Sequence, residues 1–357
     1  MTILGIESSC DECAAAVVLD GRRVVSSVIA TQIERHAEFD GVVPEIASRL
    51  HTEWIYDVVA RSLADASVTL KEIDGIAVTA RPGLAGSLLV GVSFAKALAW
   101  ASGKPFVGVN HVLAHLYAPL LTEDVAYPFL GLMVSGGHTM ICRADGFDDI
   151  TVLGTTIDDA VGEAFDKVAK HYGLGYPGGL AIDRLARSGN PASCRFPVPN
   201  LYKVDRRKGG PEAGERLASE SRFDVSYSGI KTAAIRQLDQ FWNPAFERSN
   251  ENLAAAFEKA AIDMLVTRLL RAVDETGIRT VVAGGGVAAN TYLRQSLGSR
   301  RDIRTLFPPL AYCGDNAAMI AGLGYHLLAR GDRDGLELNA SPRVSGFRRP
   351  GKQAVTP

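Results

Sequence analysis

The chain has 357 residues, a formal net charge of −2 and 47% hydrophobic residues. That length supplies about two domains' worth of core, and the composition excludes a disordered or fibrous protein. The near-neutral balance excludes a globally basic nucleic-acid binder, so any RNA contact has to come from local basic patches. The opening MTILGIESS carries neither a basic segment nor an apolar run, which predicts no secretory leader. Five cysteines, at 10, 13, 142, 194 and 313, form an odd, scattered set that argues against a disulfide scaffold and for a reducing cytoplasm. Cys10 and Cys13 make a C-x-x-C without a second pair to complete a zinc site, and two small, half-buried residues on a strand–turn–strand account for it.

In chain order, the pattern predicts a strand over 3–6, a polar turn Glu7-Ser8-Ser9-Cys10-Asp11-Glu12, and a returning strand through Val18. Asp20-Gly21 turns the chain into a third strand over 24–28. Trp54, Ile55, Val58, Val59 and Leu63 then recur at helical spacing. A strand over 75–79 meets the breaker Arg81-Pro82-Gly83, and a helix over 84–101 follows. Its apolar run is interrupted by Lys96 and is rich in small residues, so it reads as a buried helix rather than a membrane span. After a strand over 105–109, Asn110 is a good N-cap for a helix that starts at His111.

A second copy begins near residue 128. PFLGLMVSGGHTMICRAD again reads as strand, Gly-rich polar turn, strand, and laying Leu4-Gly5-Ile6 on Leu130-Gly131-Leu132 puts Ser9 on Ser135. This half is longer. It holds a helical stretch over 158–171, a Gly-rich turn, and a poorly periodic region over about 188–222 with the basic run Arg206-Arg207-Lys208. An amphipathic helix follows, with Leu253, Phe257, Ala260, Ala261, Met264, Leu265 and Leu269 on one face and Gly277 at its end. A strand over 280–283 runs into Gly284-Gly285-Gly286, a helix starts near Ala288, and a last helix spans 316–328. The tail from Ser341 holds Arg343, Arg348, Arg349 and Lys352 among Pro and Gly, and reads as a flexible end.

Glycine-rich turns after strands are where backbone N–H groups surround phosphate. Ser135-Gly136-Gly137-His138, Gly178-Gly179 and Gly284-Gly285-Gly286 are three such turns, and each has ordinary tight turning as its alternative reading. His111 and His115 are four apart on one helix, so both imidazoles leave the same face. That is a metal-ligand spacing, and also the spacing of two half-buried helix histidines. Position 112 is Val, so the glutamate of an H-E-x-x-H peptidase is missing. Asp315, at the start of the last helix, can add a carboxylate from the other half; two imidazoles and one carboxylate leave room for substrate. Asp158, Asp159, Glu163 and Asp166 form an acidic stretch. Asp158 and Glu163 read as a solvated face, whereas Asp166, and Asp183 after Gly179, can accept from a ribose diol.

Taken together, GIESSCDE at 5–12, GVVPEIASRLH at 41–51, PGLAGSLLVG at 82–91, VNHVLAHLYAP at 109–119, VSGGHT at 134–139, DDAVGEAFDKVAKHYGLGYPGG at 158–179, YSGIKT at 227–232, GGGVAAN at 284–290 and CGDNAAMI at 313–320 resemble the TsaD family, in family order over nearly the whole chain. The resemblance implies an α/β, duplicated, two-lobed fold of the actin, sugar kinase and Hsp70 (ASKHA) superfamily with a nucleotide and metal cleft between lobes. It implies an N-terminal lobe over 1–124, a C-terminal lobe over 125–315, a closing helix within 316–340 and a basic tail over 341–357. It implies a metal on His111, His115 and Asp315, iron(II) by resemblance with zinc as the alternative. It places the adenylate on Val134, Ser135, Gly136, Gly137, His138, Asp166, Gly179, Asp183 and Asn290.

The implied activity is transfer of the threonylcarbamoyl group from threonylcarbamoyl-AMP to the exocyclic amine of the adenosine 3′ of the anticodon, in tRNAs reading codons that begin with A. Asp11 or Glu12 is the candidate base for that amine. Implied partners are tRNA, a TsaB-like paralogue and a TsaE-like ATPase, with a separate synthase supplying the adenylate, all in the cytoplasm and away from membrane. Arg206, Arg207, Lys208 and the tail arginines are candidate phosphate contacts or plain solubilising charge. The competing readings are a small-molecule kinase or ATPase of the same superfamily, a metallopeptidase, and a non-catalytic scaffold.

Overall fold

The computed structural model of the chain describes residues 1–197, 222–343 and 347–348. Alternating and continuous apolar runs form two sheets of five strands each. In the first, β1 (Thr2–Glu7), β2 (Glu12–Leu19), β3 (Arg23–Thr31), β4 (Gly75–Arg81) and β5 (Phe106–Asn110) lie in the order β3-β2-β1-β4-β5. In the second, β6 (Phe129–Val134), β7 (Thr139–Ala144), β8 (Ile150–Thr155), β9 (Thr280–Gly284) and β10 (Arg304–Leu306) lie in the order β8-β7-β6-β9-β10. The two orders are the same motif: an antiparallel meander of three strands whose first member also pairs in parallel with a strand reached by crossover.

Register confirms the internal repeat read in the sequence. Gly5 pairs with Ala16 and Gly131 with Cys142, so one shift in numbering carries both members of the first pair onto the second. The central strands are apolar on both faces because helices cover both sides.

The helices of the first half are α1 (Ile33–Ala37), α2 (Pro44–Asp65), α3 (Ala85–Ser102) and α4 (His111–Tyr117). Helix α2 starts ahead of the apolar repeat seen in the sequence. Val43 offers no side-chain cap, and Pro44 at the first helical position sets the start. Helix α3 passes as a membrane span by length and composition alone, yet it packs on β4 and α2 through Ser87, Leu88, Val92, Ala95 and Ala99. Its other face exposes Leu89 and Trp100, so the buried helix expected from composition is buried on one side.

The second half adds α5 (Val161–Tyr172), α6 (Gly178–Ala186), α7 (Ser228–Arg236), α8 (Leu238–Phe241), α9 (Asn250–Thr276), α10 (Thr291–Gly298) and α11 (Ala317–Arg330). Helix α9 buries Leu253, Phe257, Ala261, Met264, Leu265 and Leu269 of the predicted stripe and leaves Ala260 half-buried; Ser249 caps its start, and Gly277, at φ 71°, ends it in the left-handed region.

Two helices tie the halves together. Helix α4 follows β5 of the first sheet and packs on β6 and β9 of the second, while α11 follows the second sheet and packs on β1, β4 and β5 of the first. Both need small residues beneath them. A Cβ on Gly5 would stand 2.3 Å from the Ala317 carbonyl oxygen, and one on Gly284 would stand 2.1 Å from that of His115. The two helices also contact each other, so their N-terminal ends meet between the sheets.

Candidate active site

Asn110 is the residue from which the metal-ligand candidates are positioned. Its side chain accepts from the N–H groups of Val112 and Leu113 at 2.9 and 3.3 Å, which starts α4 at His111 and sends His111 and His115 off one face. Asp315 precedes Asn316, whose side chain caps α11 by accepting from Met319 N–H at 3.0 Å. With both helix starts held, Nε2 of His111 lies 3.1 Å from Nε2 of His115, and Asp315 Oδ1 lies 3.0 Å from His115 Nε2 and 3.4 Å from His111 Nε2. Among the described residues this is the His/Cys/Asp/Glu group that converges closely enough to share an ion.

The far side of His111 is also fixed. Its Nδ1 meets Glu7 Oε2 at 2.9 Å and Ser9 Oγ at 3.2 Å, and Glu7 itself is fully buried and accepts from Thr79 Oγ1 at 2.6 Å. With the proton on Nδ1 held by Glu7, Nε2 presents a lone pair toward His115 and Asp315. Two ring nitrogens and a carboxylate oxygen converging on one point, with the ring of His111 oriented from behind by a carboxylate, fit a divalent ion.

Electrostatics puts a proton on Nε2 of His111 that a binding ion has to displace. Burial opposes ionisation of Asp315 and Glu7, but the adjacent His111 outweighs it and holds both carboxyls below their ordinary range. Burial disfavours charge on His111 as well, yet Glu7 and Asp315 reverse that and raise its pKa; His115, buried beside His111, is lowered.

The converging atoms open into a cleft of about 610 Å³, within the range of small-ligand sites. Asp11, Glu12, Ser135, Gly136, Gly137, His138, Asp166, Gly179, Asp183 and Asn290 all line it, with His111 and Asp315. Val134 does not: it is fully buried at the end of β6 in the second sheet's core, with its carbonyl against Gly285. His115 lies behind His111 and reaches the centre only through Nε2.

The Ser135–His138 turn spends half of its N–H groups on itself. Ser135 N–H donates to the His138 carbonyl at 2.8 Å, and His138 N–H to Ser135 Oγ at 3.1 Å. The exposed Gly136 and Gly137 are the members whose N–H groups are not spent in this way. Burial, together with His111 and His115, pushes the His138 imidazole down to about 4, so it faces the cleft neutral.

Gly178 and Gly179 are not a free turn but the first residues of α6, and Asp166 holds that helix start by accepting from Gly178 N–H at 2.8 Å. Asp183 accepts from Thr291 N–H at 2.6 Å, Thr291 Oγ1 at 3.1 Å and Arg187 at 2.6 Å. Asn290 caps α10 through Leu293 N–H at 2.8 Å. In the first turn, burial, Asp315 and Asp11 push the Glu12 carboxyl up to about 10.

The acidic stretch departs from a plain solvated face. Asp158 lies ahead of α5 and accepts from Tyr227 N–H at 2.7 Å, from Ser228 N–H at 3.3 Å and from the hydroxyls of Ser226 and Ser228, so it anchors the start of α7. Glu163 does pair at the surface, with Lys167. Of the basic residues, Arg348 pairs with Asp149 and is tied to the edge of β8 through Ile150 and Val152, which removes it from the free tail. Arg206, Arg207, Lys208, Arg349 and Lys352 lie outside the described residues.

Sequence reasoning missed Glu7 and the buried Glu258, to which Asn290 donates Nδ2 at 2.6 Å. Glu7 ends an apolar strand, and Glu258 interrupts the apolar stripe of α9. A charged residue at a core position was the available signal.

The chain matches the family described as TsaD: tRNA N6-adenosine threonylcarbamoyltransferase over residues 23–322. A protein of Treponema denticola named tRNA N6-adenosine threonylcarbamoyltransferase is 59% identical over 353 residues, covering 99% of this chain and 100% of its own. One of the same name from Treponema pallidum is 51% identical over 351 residues, covering 98% and 96%. Among solved structures, full-length HypF in its phosphate- and nucleotide-bound form superposes with a TM-score of 0.56 at 13% identity, over 91% of this chain and 46% of that one. The (R)-2-hydroxyglutaryl-CoA dehydratase component A of Acidaminococcus fermentans gives 0.52 at 13% identity, over 92% and 99%. These likenesses speak for the fold alone, and with the duplicated sheets they give the ASKHA architecture. The extent of the match and the identity to relatives establish that the chain belongs to the TsaD family of tRNA N6-adenosine threonylcarbamoyltransferases.

Proposed function

We propose that this chain transfers the threonylcarbamoyl group of threonylcarbamoyl-AMP to N6 of the adenosine 3′ of the anticodon, releasing AMP. The single observation that carries the local chemistry is the convergence of His111, His115 and Asp315 beside a cleft lined by glycine turns and carboxylates. The family is metal-dependent, and these three residues would hold the ion; iron(II) is our assignment by resemblance, with zinc accommodated by the same donors. When bound, a divalent ion supplies Lewis-acid polarisation of the carbamoyl carbonyl and charge acceptance on the departing phosphate.

The chain's own residues do the rest in this reading. The N–H groups of Gly136 and Gly137 receive the phosphate or the developing oxyanion. Asp166, Gly179, Asp183 and Asn290 orient the adenosine, and neutral His138 can donate or accept at the cleft wall. Asp11 accepts the proton leaving the N6 amine. Glu12 is the weaker choice of the two because burial and its acidic neighbours keep its carboxyl protonated. Asp183 and Asn290 come from the second half and His111 from the first, which supports lobes over 1–124 and 125–315 joined by the closing segment 316–340.

A TsaB-like paralogue, a TsaE-like ATPase and a separate adenylate synthase complete the proposed system, with cytoplasmic tRNA as acceptor. The exposed Leu89 and Trp100 on α3 support a protein partner on the first lobe.

Nucleoside mass spectrometry of tRNA tests the proposal. Depleting this chain removes threonylcarbamoyladenosine and re-expression restores it, whereas His111→Ala, purified with less than stoichiometric metal, does not. Restored modification by a metal-free His111→Ala protein refutes the metal assignment, and unmodified tRNA after wild-type complementation refutes the function.

A further inference from the structure

Glu258 lies on α9, outside the cleft wall, and is 6% exposed. It faces the start of one helix and the middle of another. Asn290, ahead of α10, donates Nδ2 to its Oε1 at 2.6 Å while its own Oδ1 takes Leu293 N–H, so the amide can point only one way. On α6, the carboxylate of Asp183 lies within hydrogen-bonding reach of the same carboxyl. The charged groups facing Glu258 are therefore Asp183 and, beyond it, Arg187, which binds Asp183 from the solvent side; the neighbouring Lys259 turns away to Asp263 and Tyr292.

Two buried carboxyls in contact share a proton, because both cannot carry charge without a cation between them. Asp183 already accepts from Thr291 twice and from Arg187. Glu258 has Asn290 alone, and burial pushes its carboxyl up to about 7. The proton therefore resides on Glu258.

We propose that Glu258 is a positioning residue of the adenosine site: as a neutral acid it donates to Asp183 and accepts from Asn290, fixing both groups that meet the nucleoside. The inference rests on the assignment of Asp183 and Asn290 to the adenylate. Asp183 keeps part of its lone-pair capacity for a ribose diol, and Asn290 keeps its second amide hydrogen. Loss of the Glu258 proton places two carboxylates against each other and loosens the site, so adenosine affinity falls as pH rises through neutrality.

The test is calorimetric titration of the metal-loaded, full-length protein with adenosine, a probe with no phosphate to titrate, from about pH 6 to about pH 8.5. Wild-type affinity is expected to drop severalfold over that range. Glu258→Gln, whose amide makes both bonds without a titrating proton, is expected to match wild type at the acid end and to stay flat. Glu258→Leu is expected to bind about tenfold more weakly throughout, since it leaves Asn290 and Asp183 unsupported. A Glu258→Gln protein with the wild-type pH slope, or a folded Glu258→Leu protein with wild-type affinity, overturns the inference. Asp183→Ala separates it from the reading beneath: unchanged adenosine affinity in that variant removes the adenosine-site assignment itself. Weakened affinity there, with unaffected Glu258 variants, removes only the role of Glu258.

Discussion

His111 is gripped from both sides of its ring. Glu7 and Ser9 hold Nδ1, and Nε2 faces His115 and Asp315. A ring so held presents its lone pair without paying rotational freedom at the moment of binding. Glu7→Gln keeps the shape but removes the charge behind the ring, and is expected to lower metal affinity by about 10- to 100-fold, as read by chelator competition. An unchanged affinity would reduce Glu7 to a filler of space. Glu258 makes a second residue-scale prediction. Its raised pKa means that the folded state binds an extra proton between the ordinary glutamate range, near 4.5, and about 7, so its contribution to stability declines as pH climbs through that window. Glu258→Gln escapes the decline. Its melting temperature should exceed that of wild type at about pH 8, with the gap narrowing toward about pH 5. His111, His115 and Asp315 were legible as types and spacing, whereas Glu7 was not, because its partner is 104 positions away and the turn after it drew attention to hydroxyls and N–H groups instead.

Elements owe their placement to a few residues at their ends. Asp158 reaches forward to hold Tyr227 and Ser228 at the start of α7, a role invisible in a local charge pattern because the helix it caps begins 70 positions later. Asp158→Ala should cost about 1–2 kcal/mol in urea unfolding, the usual loss for a helix cap; a loss near zero would restore the solvated-face reading. Helix α4 sits on Gly284 so closely that a methyl group there would meet the His115 carbonyl at 2.1 Å, backbone against side chain. Gly284→Ala therefore has to push α4 off β9, and about 1–3 kcal/mol of destabilisation should come with weakened metal binding, since His115 moves with the helix. Thermal melting alongside metal titration checks this, and a destabilised protein with native metal affinity would uncouple the two. Eight of the ten strands, the Asn110 cap and the stripe of α9 were readable because each follows from neighbours a few residues apart, whereas β8 and β10 were not read. The start of α2 was not read, since the apolar repeat shows only from Trp54 and Val43 supplies no capping oxygen.

At the scale of the whole molecule, the chain repeats one sheet motif and exchanges one helix in each direction. Helix α4 packs across onto the second sheet and α11 onto the first, and the metal-ligand candidates sit at the starts of these two crossing helices. Ligands that bridge them bind the assembled molecule and not the unfolded chain, so metal and adenosine should each raise the unfolding free energy by about 2.7 kcal/mol at a hundredfold excess over its own Kd. Differential scanning calorimetry with and without chelator measures it.

What the amino-acid sequence determined unaided is eight of the ten strands, the helices α2 to α5 and α9 to α11, the repeated hairpin, and the family resemblance that named His111, His115 and Asp315. Those follow from periodicity, turn chemistry and motif order, which act over short spans of chain. Only the tertiary structure decided that Val134 is core, that half of the Ser135–His138 turn is spent on itself, that Asp166 caps a helix, and that Glu7 and Glu258 stand behind the site. Each of those facts is a meeting between groups whose distance is set by how helices dock on sheets, and docking is fixed by packing across the whole core.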